Sequence, residues 1–195
     1  MRSLTIRKLI AQKGFLERLR AMDSRAWNLV TREYRNGILY ACVRRVRSQA
    51  DAEDICSQVF IRAIRQIGSF RGDASLKAWL HTIAYNLCMT HLSSARRFRM
   101  ATFERVAAAN STRESPAAEE PSADRLIESA ELKSAFGRAM AALDPDLGTA
   151  FHLREIEELS YDEIARVTGA PINTVKTRIF RARMQLRQLL AEHRP

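Results

Sequence analysis

Apolar residues recur every three or four positions through two long stretches of the chain, which is the spacing of one face of an α-helix. The first stretch, residues 23–99, contains three such patterns, and the second of these begins at Asp51. Residues 68–73 follow it, where two glycines and an aspartate favour a turn. The third pattern predicts a helix from Leu76 with Leu80, Ile83 and Leu87 on its apolar face.

Between the two stretches the periodicity disappears. Residues 107–124 are mostly Ala, Ser, Glu and Pro, a composition that buries too little apolar surface to offset the entropy lost on ordering. Helical periodicity resumes near Leu126 and is interrupted at Asp144 and Pro145. These patterns predict an all-α fold of two small helical domains, 23–99 and 126–195, with a basic N-terminal extension over 1–22 and a flexible acidic linker over 100–125.

The second domain contains a helix-turn-helix pattern. Ser160 and Glu163 have the spacing of a capping box, which predicts a helix start. Gly169 suits the following turn, and Pro171 suits the start of the next helix because it lacks a backbone N–H. The residues predicted to pack between the two helices are Ile164, Ala165, Ile172, Val175 and Ile179.

The second helix of this pattern, predicted over 172–190, carries one lysine and four arginines and no acidic residue. A helix that enters the major groove of DNA needs cations that meet phosphates and side chains that meet base edges. The net charge of the whole chain is +10, which further favours a polyanionic partner. The sequence therefore predicts DNA binding through this helix.

A different face occurs on the helix predicted from Leu76. Away from its apolar stripe this helix has polar and aromatic residues, and arginines follow at its C-terminal end. Aromatic and amide side chains suit unstacked bases, and arginines suit the phosphate backbone. A helix–helix interface would have a similar composition, so this pattern leaves both interpretations open. The residues concerned are Thr82, Tyr85, Asn86, Met89, Ser93, Arg96, Arg97 and Arg99.

Other features limit the functional classes. No apolar run is long enough to span a membrane, and the N-terminus lacks a signal-peptide pattern, so a cytoplasmic protein is expected. Cys42, Cys56 and Cys88 are scattered among apolar positions and are predicted to be buried free thiols. His81, His91, Cys88 and the glutamates of 155–158 lack the spacing of a catalytic or metal site. An enzyme is therefore not expected, no cofactor or metal is predicted, and 155–158 is interpreted as a solvated acidic face.

The motifs resemble those of a known family. Residues 159–165 (LSYDEIA), 169–171 (GAP) and 174–183 (TVKTRIFRAR) are similar to region four of bacterial sigma factors of the extracytoplasmic-function (ECF) group of the sigma-70 family. Residues 51–55 (DAEDI), 70–73 (FRGD), 79–80 (WL) and 83–86 (IAYN) resemble region two of the same group. The order and spacing of the motifs match in both stretches.

The resemblance implies a transcription initiation factor that joins core RNA polymerase, directs it to promoters and promotes strand opening. It implies core binding at the β′ clamp and β flap, an anti-sigma inhibitor that wraps or wedges between the domains, and a linker that threads toward the polymerase active cleft. Residues implied to bind the −35 element are Thr174, Lys176, Thr177, Arg178, Phe180, Arg181 and Arg183. Those implied for the −10 element are Phe70, Arg71, Gly72, Asp73, Ala74, Ser75, Tyr85, Asn86, Arg96 and Arg97. Those implied to bind the polymerase are Asp51, Glu53, Asp54, Ser57 and Gln58.

Two places depart from the family pattern. The family usually continues after Asp-Ile with Val-Gln-Glu or Val-Gln-Asp, whereas residues 56–58 are Cys-Ser-Gln, so a carboxylate and an amide are missing from the implied polymerase-binding face. Asp144 replaces a usual proline and Gly148 a usual arginine, which predicts a weaker helix start there.

Two alternatives remain open at this point. A sigma-like mimic that binds an anti-sigma factor would not need the arginines of the second helix, and a simple helix-turn-helix regulator would not need the first domain.

Overall fold

The computed structural model describes the backbone of residues 14–106 and 127–191, and the side chains of residues 14–98 and 135–191. Within these ranges the chain is helical and contains no strand, which confirms the predicted all-α class. The helices of the first domain are α1 Phe15–Arg20, α2 Ser24–Val46, α3 Gln49–Gln66 and α4 Leu76–Val106. Those of the second are α5 Ile127–Ala142, α6 Pro145–Phe151, α7 Tyr161–Thr168 and α8 Ile172–Ala191. None of the described helices is long and apolar enough to cross a membrane.

The first domain is a bundle in which α2, α3 and α4 pack against one another. Its core includes Val30, Ile38, Val59 and Leu80, each fully buried. The three cysteines lie in the same core as free thiols, as predicted. A short 3-10 helix, Ile67–Ser69, follows α3 and leads into the loop before α4.

The helix starts in this domain follow side-chain caps. The carboxylate of Asp23 accepts hydrogen bonds from the backbone N–H groups of Arg25 and Ala26 at the start of α2. Ser48 caps α3 by accepting from the N–H of Asp51. The prediction that α3 begins at Asp51 was therefore short by two residues, because the serine cap precedes the apolar pattern on which the prediction relied.

The predicted boundary at residue 23 was also incomplete. Helix α1 belongs to the first domain, since Phe15 and Leu19 are buried in its core and the carbonyl of Leu19 accepts a hydrogen bond from Nε1 of Trp27 at 3.1 Å. Helix α4 continues to Val106, so residues 100–106 of the predicted linker are helical. The remaining prediction, a flexible stretch over 107–124, lies outside the described residues.

The second domain arranges its helices around α8. Asp144 caps α6 through hydrogen bonds from the N–H groups of Asp146 and Leu147, and Pro145 occupies the first turn. The expected weakness of this helix start was therefore wrong, because aspartate is among the best capping residues and proline loses no helical hydrogen bond there. A π-helical turn, His152–Ile156, follows α6 and leads toward α7.

The two domains lie directly against each other. Ala78 of α4 is buried in the same apolar cluster as Ala150, Leu153 and Ile164 of the second domain. Helix α7 packs along α4, and α6 packs on α2. The sequence did not predict this contact. It brings the helix-turn-helix next to α4 and the loop before it, which are the two regions expected to bind DNA.

Candidate nucleic-acid interface

The helix-turn-helix forms as the sequence predicted. Ser160 and Glu163 make both hydrogen bonds of the capping box at the start of α7. Gly169 ends α7 with a φ of +67°, a left-handed conformation in which a side chain would be strained. Val175 and Ile179 of α8 are buried against Ile164. Ile172 is 38% exposed, so its predicted place in this small core was wrong, because it lies at the first position of α8 and points outward.

The outer face of α8 is exposed and basic. Apart from the half-buried Arg178, every residue expected to bind the −35 element is exposed, and the ring of Phe180 is 64% exposed. The ammonium group of Lys176 lies 5.9 Å from the ring centre of Tyr161, on the opposite side of the turn. The face therefore offers cations and one aromatic ring to a partner without moving the core.

Two of the arginines on α8 are paired with acidic residues of the same domain. Arg178 donates to the carboxylate of Asp146, and Arg183 donates to Glu155. The pair with Glu155 raises the pKa of Arg183 despite a small opposing effect of burial. Arg181 is exposed and has no ion pair among the described residues. Arg181, like Lys176, is therefore a cation on this face that a phosphate reaches without breaking an ion pair.

The polar face of α4 has a different character. Asn86 is exposed, and its side chain makes no hydrogen bond to any residue that the structure describes. Neighbouring Tyr85 is half-buried, and its hydroxyl accepts a hydrogen bond from Arg45, whose guanidinium also lies 5.0 Å from the ring centre. The amide of Asn86 is thus available to a base edge, whereas Tyr85 is held by the protein.

The loop before α4 is anchored at both ends. The ring of Phe70 is buried and packs on Trp79 with ring centres 5.1 Å apart, so this side chain supports the loop from below. Ser75 caps α4 by accepting a hydrogen bond from the N–H of Ala78. Between these anchors Arg71 and Asp73 are exposed.

Helix α7 of the second domain covers the end of this loop. The carboxylate of Glu163 accepts hydrogen bonds from the backbone N–H and the hydroxyl of Ser75, the former at 3.1 Å. The guanidinium of Arg166 donates to the carbonyl of Asp73 at 2.6 Å. Partial burial favours the neutral acid, but the hydrogen bonds from Ser75 and Ser160 hold the pKa of Glu163 below its usual value.

The residues implied to bind the polymerase share the outer face of α3. Glu53, Asp54, Ser57 and Gln58 are exposed, and Asp51 is half-buried with an oxygen 3.5 Å from Nε2 of His91. Ile61 lies on the same side of the helix and is 48% exposed. The sequence analysis did not single out Ile61. Its signal was an apolar residue outside the apolar stripe, one turn after Gln58.

The cluster at 155–158 was interpreted incorrectly. Glu157 is 8% exposed and lies between the domains, next to Lys77 and His81 of α4. The expectation of a solvated acidic face was therefore wrong for this residue, because its partners Lys77 and His81 come from the other domain. Glu155 remains at the surface in its pair with Arg183.

Comparisons with known proteins identify the family of this chain. Residues 30–98 match the family model of Sigma-70 region 2, and residues 133–186 match that of Sigma-70 region 4. The chain is 36% identical to the RNA polymerase sigma-H factor of Pseudomonas aeruginosa, over 86% of this chain and 88% of that protein. It is 35% identical to the ECF RNA polymerase sigma-E factor of Escherichia coli K12, over 89% and 91%.

Solved structures show the same fold. The sigma factor RpoE of Bartonella quintana, crystallised with the anti-sigma factor NepR, superposes with a TM-score of 0.62 at 25% identity, over 86% of this chain and 98% of that one. CnrH in complex with the cytosolic domain of CnrY gives a TM-score of 0.58 at 22% identity, over 91% and 96%. On the matched regions and relatives, this chain belongs to the extracytoplasmic-function group of the sigma-70 family of RNA polymerase sigma factors.

Proposed function

We propose that this sigma factor directs core RNA polymerase to promoters by reading duplex DNA with α8 and opened DNA with α4 and the loop before it. The observation that carries the proposal is the pairing, in one chain, of an acid-free exposed helix with a separate neutral face centred on Asn86. The first surface suits the phosphates and base edges of a major groove. The second suits an unstacked base.

On α8, we assign the −35 element to the exposed residues of the first three turns. Lys176, Thr177 and Arg181 supply hydrogen-bond donors, and Phe180 supplies an apolar surface for a base methyl group. On binding DNA, Arg178 and Arg183 would exchange their carboxylate partners, Asp146 and Glu155, for phosphates. Thr174, at the N-terminal end, lies where recognition helices approach base edges.

On the first domain, we assign the −10 element to Asn86 and the exposed residues of the loop. The amide of Asn86 pairs with one extruded base, while Arg71 meets a phosphate. Gly72, with a φ of +83°, lets the backbone turn sharply next to the bound strand. Arg96 and Arg97 are exposed further along α4 and continue the basic track.

We assign polymerase binding to the outer face of α3. Its carboxylates and amides form a polar rim around the exposed side chain of Ile61, which is the usual composition of a protein interface with an apolar centre. We propose that the role of this protein in initiation is non-catalytic, since the polymerase performs the chemistry. This role implies a cytoplasmic location. We further propose an inhibitor protein as a second partner, because a similar sigma factor, RpoE of Bartonella quintana, was solved in complex with the anti-sigma factor NepR.

Run-off transcription with core polymerase on a genomic promoter library tests the proposal. We expect defined transcripts that require both the chain and the core enzyme, and that weaken with Arg181→Ala. A protein that binds an inhibitor but supports no transcription would be a sigma-like mimic. A protein that binds duplex promoters equally well without polymerase would be a simple helix-turn-helix regulator.

A pull-down from native cells tests the inhibitor. Under uninduced conditions we expect a second protein in addition to core polymerase. Recovery of core polymerase alone would contradict sequestration by an inhibitor.

A further inference from the structure

Two of the three buried cysteines meet where α2 packs against α4. Cys42 of α2 is 0% exposed and Cys88 of α4 is 2% exposed, and a side-chain hydrogen bond joins their thiols. Neither residue belongs to a surface assigned above to DNA or to polymerase. The first domain therefore contains a buried pair of thiols that the proposed function does not use.

Small side chains surround this pair. Ala41 precedes Cys42 on α2, and Ala84 lies one turn before the second cysteine on α4. Both alanines and both cysteines line the same void. Helices can approach closely where small residues make the contact between them. A disulfide needs such an approach, because its two Cα atoms must lie within about 7 Å of each other.

The void beside the thiols is small. Its volume is about 20 Å³, which is enough for one water-sized molecule. Hydrogen peroxide is only slightly larger than water, so the space next to the thiols suits an oxidant of this class. Other residues that line the void are Arg45 and Tyr85 of the first domain and Thr149, Leu153 and Val167 of the second.

The two thiols differ in acidity. The hydrogen bond from Cys42 lowers the pKa of Cys88, burial opposes this effect, and the nearby guanidinium of Arg45 lowers the pKa further. The same hydrogen bond raises the pKa of Cys42, and burial adds to that shift. Because the thiolate is the form that attacks a peroxide, we expect Cys88 to react first and Cys42 second.

Cys56 provides a contrast within the same core. It is 1% exposed, and its sulfur donates to the backbone carbonyl of Arg35 at 3.8 Å rather than to a thiol. Burial raises the pKa of Cys56, with Arg35 opposing. Cys56 is therefore as buried as the other two cysteines but lacks the features that favour oxidation.

We propose that Cys88 and Cys42 form a peroxide-reactive dithiol that closes to a disulfide between α4 and α2. The Cys88 thiolate attacks one oxygen of hydrogen peroxide, and the O–O bond breaks. The departing hydroxide takes up the proton that Cys88 has lost and leaves as water, so that Cys88 becomes a sulfenic acid. The Cys42 sulfur then attacks the Cys88 sulfur, and the sulfenic oxygen leaves as a second water with the Cys42 proton. The two sulfurs lose two electrons, and the peroxide gains them.

The bridge would tie together two helices that frame the first domain. It closes a loop from residue 42 to residue 88, which contains α3 and the loop before α4. A crosslink of this kind stabilises a domain mainly because it restricts the unfolded chain. Oxidation should therefore raise the Tm of the full chain by about 5 °C or more, and a dithiol reductant should reverse the shift.

The test treats the reduced full chain with hydrogen peroxide under native conditions. Unreacted thiols are then counted in the unfolded chain, and the disulfide is located by mass spectrometry of its peptides. We expect free thiols to fall from three to one, the intact mass to decrease by two hydrogen atoms, and one linked peptide pair to contain Cys42 and Cys88. Cys56→Ala is the matched control, and both of its remaining thiols should be lost at the parental rate.

The order of the two steps has its own test. Cys42→Ala should stop at a sulfenic acid on Cys88, which a carbon nucleophile traps when the chain is unfolded. Cys88→Ala should keep both remaining thiols reduced while the parent reacts. Circular dichroism checks that the variants keep their helix content. If a variant loses it, the peptide analysis of the parent still decides whether the bridge forms.

Several results would overturn the proposal. These are three thiols that survive peroxide, a linkage that includes Cys56, a bridge between two chains, or an oxidised chain with an unchanged Tm. All are read from the thiols and the stability of the chain alone. The outcome is therefore independent of whether the chain supports transcription with core polymerase.

Discussion

The two surfaces assigned to DNA, one on α8 and one on α4, differ in the residues that they present. The face of α8 is charged, exposed and free of acidic residues, whereas the face of α4 is neutral and centred on one exposed amide. Duplex DNA presents a dense line of phosphates, so a protein that binds it needs many cations. An opened strand offers base edges and ring faces, which a few neutral side chains recognise. The function of the first surface is therefore far easier to detect in a sequence than that of the second.

The supports of the two surfaces differ as well. The helix-turn-helix carries its own capping box and turn within about thirty residues, and its core includes Ile164, Val175 and Ile179 of α7 and α8. The loop before α4 is anchored to the core by Phe70, and its end makes hydrogen bonds to α7 of the other domain. The first surface is formed by one domain alone, whereas the second includes a loop whose end contacts the other domain.

The largest expected effect comes from a change to the core beneath α8. Ile179→Ala removes a buried side chain between α7 and α8 and should lower the free energy of unfolding by roughly 2–5 kcal/mol. Thermal denaturation measures the loss. The neighbouring Phe180→Ala is the control, since its ring is exposed and its removal should weaken promoter binding with little change in stability. Equal destabilisation by both would contradict the assignment of Phe180 to the DNA-facing side.

Arg181→Ala tests how much one exposed cation of α8 contributes to binding of duplex DNA. The change should weaken −35 binding by about 1–3 kcal/mol and reduce the dependence of affinity on salt by about one counterion. Fluorescence anisotropy with −35 duplex at several salt concentrations measures both quantities. Gln188→Ala, another exposed change on α8, serves as the control. Unchanged transcription from promoters that depend on the −35 element would remove Arg181 from the interface.

Asn86→Ala tests whether the exposed amide of α4 recognises a base of opened DNA. The amide is exposed and makes no hydrogen bond to any residue that the structure describes, so its loss should leave thermal stability unchanged. Discrimination at one −10 position should fall by roughly 1–3 kcal/mol. Permanganate footprinting of the promoter, alongside a melting curve, tests this. A destabilised variant that opens promoters normally would show that Asn86 is structural.

The smallest expected effect is on pH dependence. Burial lowers the pKa of His152 from 6.5 to about 4, with Glu157 opposing and His81 and Arg44 adding to the shift. The unfolded chain therefore takes up this proton first as the pH falls. The free energy of unfolding should be unaffected above about pH 6.5 and should decrease below it, by at most about 1.4 kcal/mol per pH unit.

Denaturant unfolding between pH 7 and 5 measures this slope. His152→Phe keeps a ring of similar size but cannot titrate, so its slope should be smaller over that range. Burial raises the pKa of Glu157, but the hydrogen bond from His81 and nearby charges such as Lys77 outweigh it and lower the pKa from 4.5 to about 2. Glu157 therefore contributes only below that range. An identical slope in the parent and the variant would show that His152 is accessible to solvent.

Much of this molecule could be predicted without the structure. The capping box at Ser160, the turn at Gly169 and the acid-free helix after it depend on residues within a few positions of one another, and local chemistry decides them. The cap of α2, Asp23, likewise accepts hydrogen bonds from backbone groups two and three positions further on. Two predictions failed for local reasons. Ile172 lies at the first position of α8, where an apolar residue can face either the core or solvent, and it is 38% exposed. Helix α1 has only six residues, too few for a clear apolar periodicity.

By itself, the sequence determined the helical class, the helix-turn-helix and the kind of partner, since these follow from periodicity, caps and the sign of the charge. Only the tertiary structure decided that Glu157 is buried, that Glu157 and Arg44 lie against Gly37 and Gly148 of the opposite domain, and that α7 contacts the end of the loop before α4. The physical reason is distance along the chain. Lys77 meets Glu157 across 80 positions, and no local pattern specifies which distant cation will neutralise a given carboxylate.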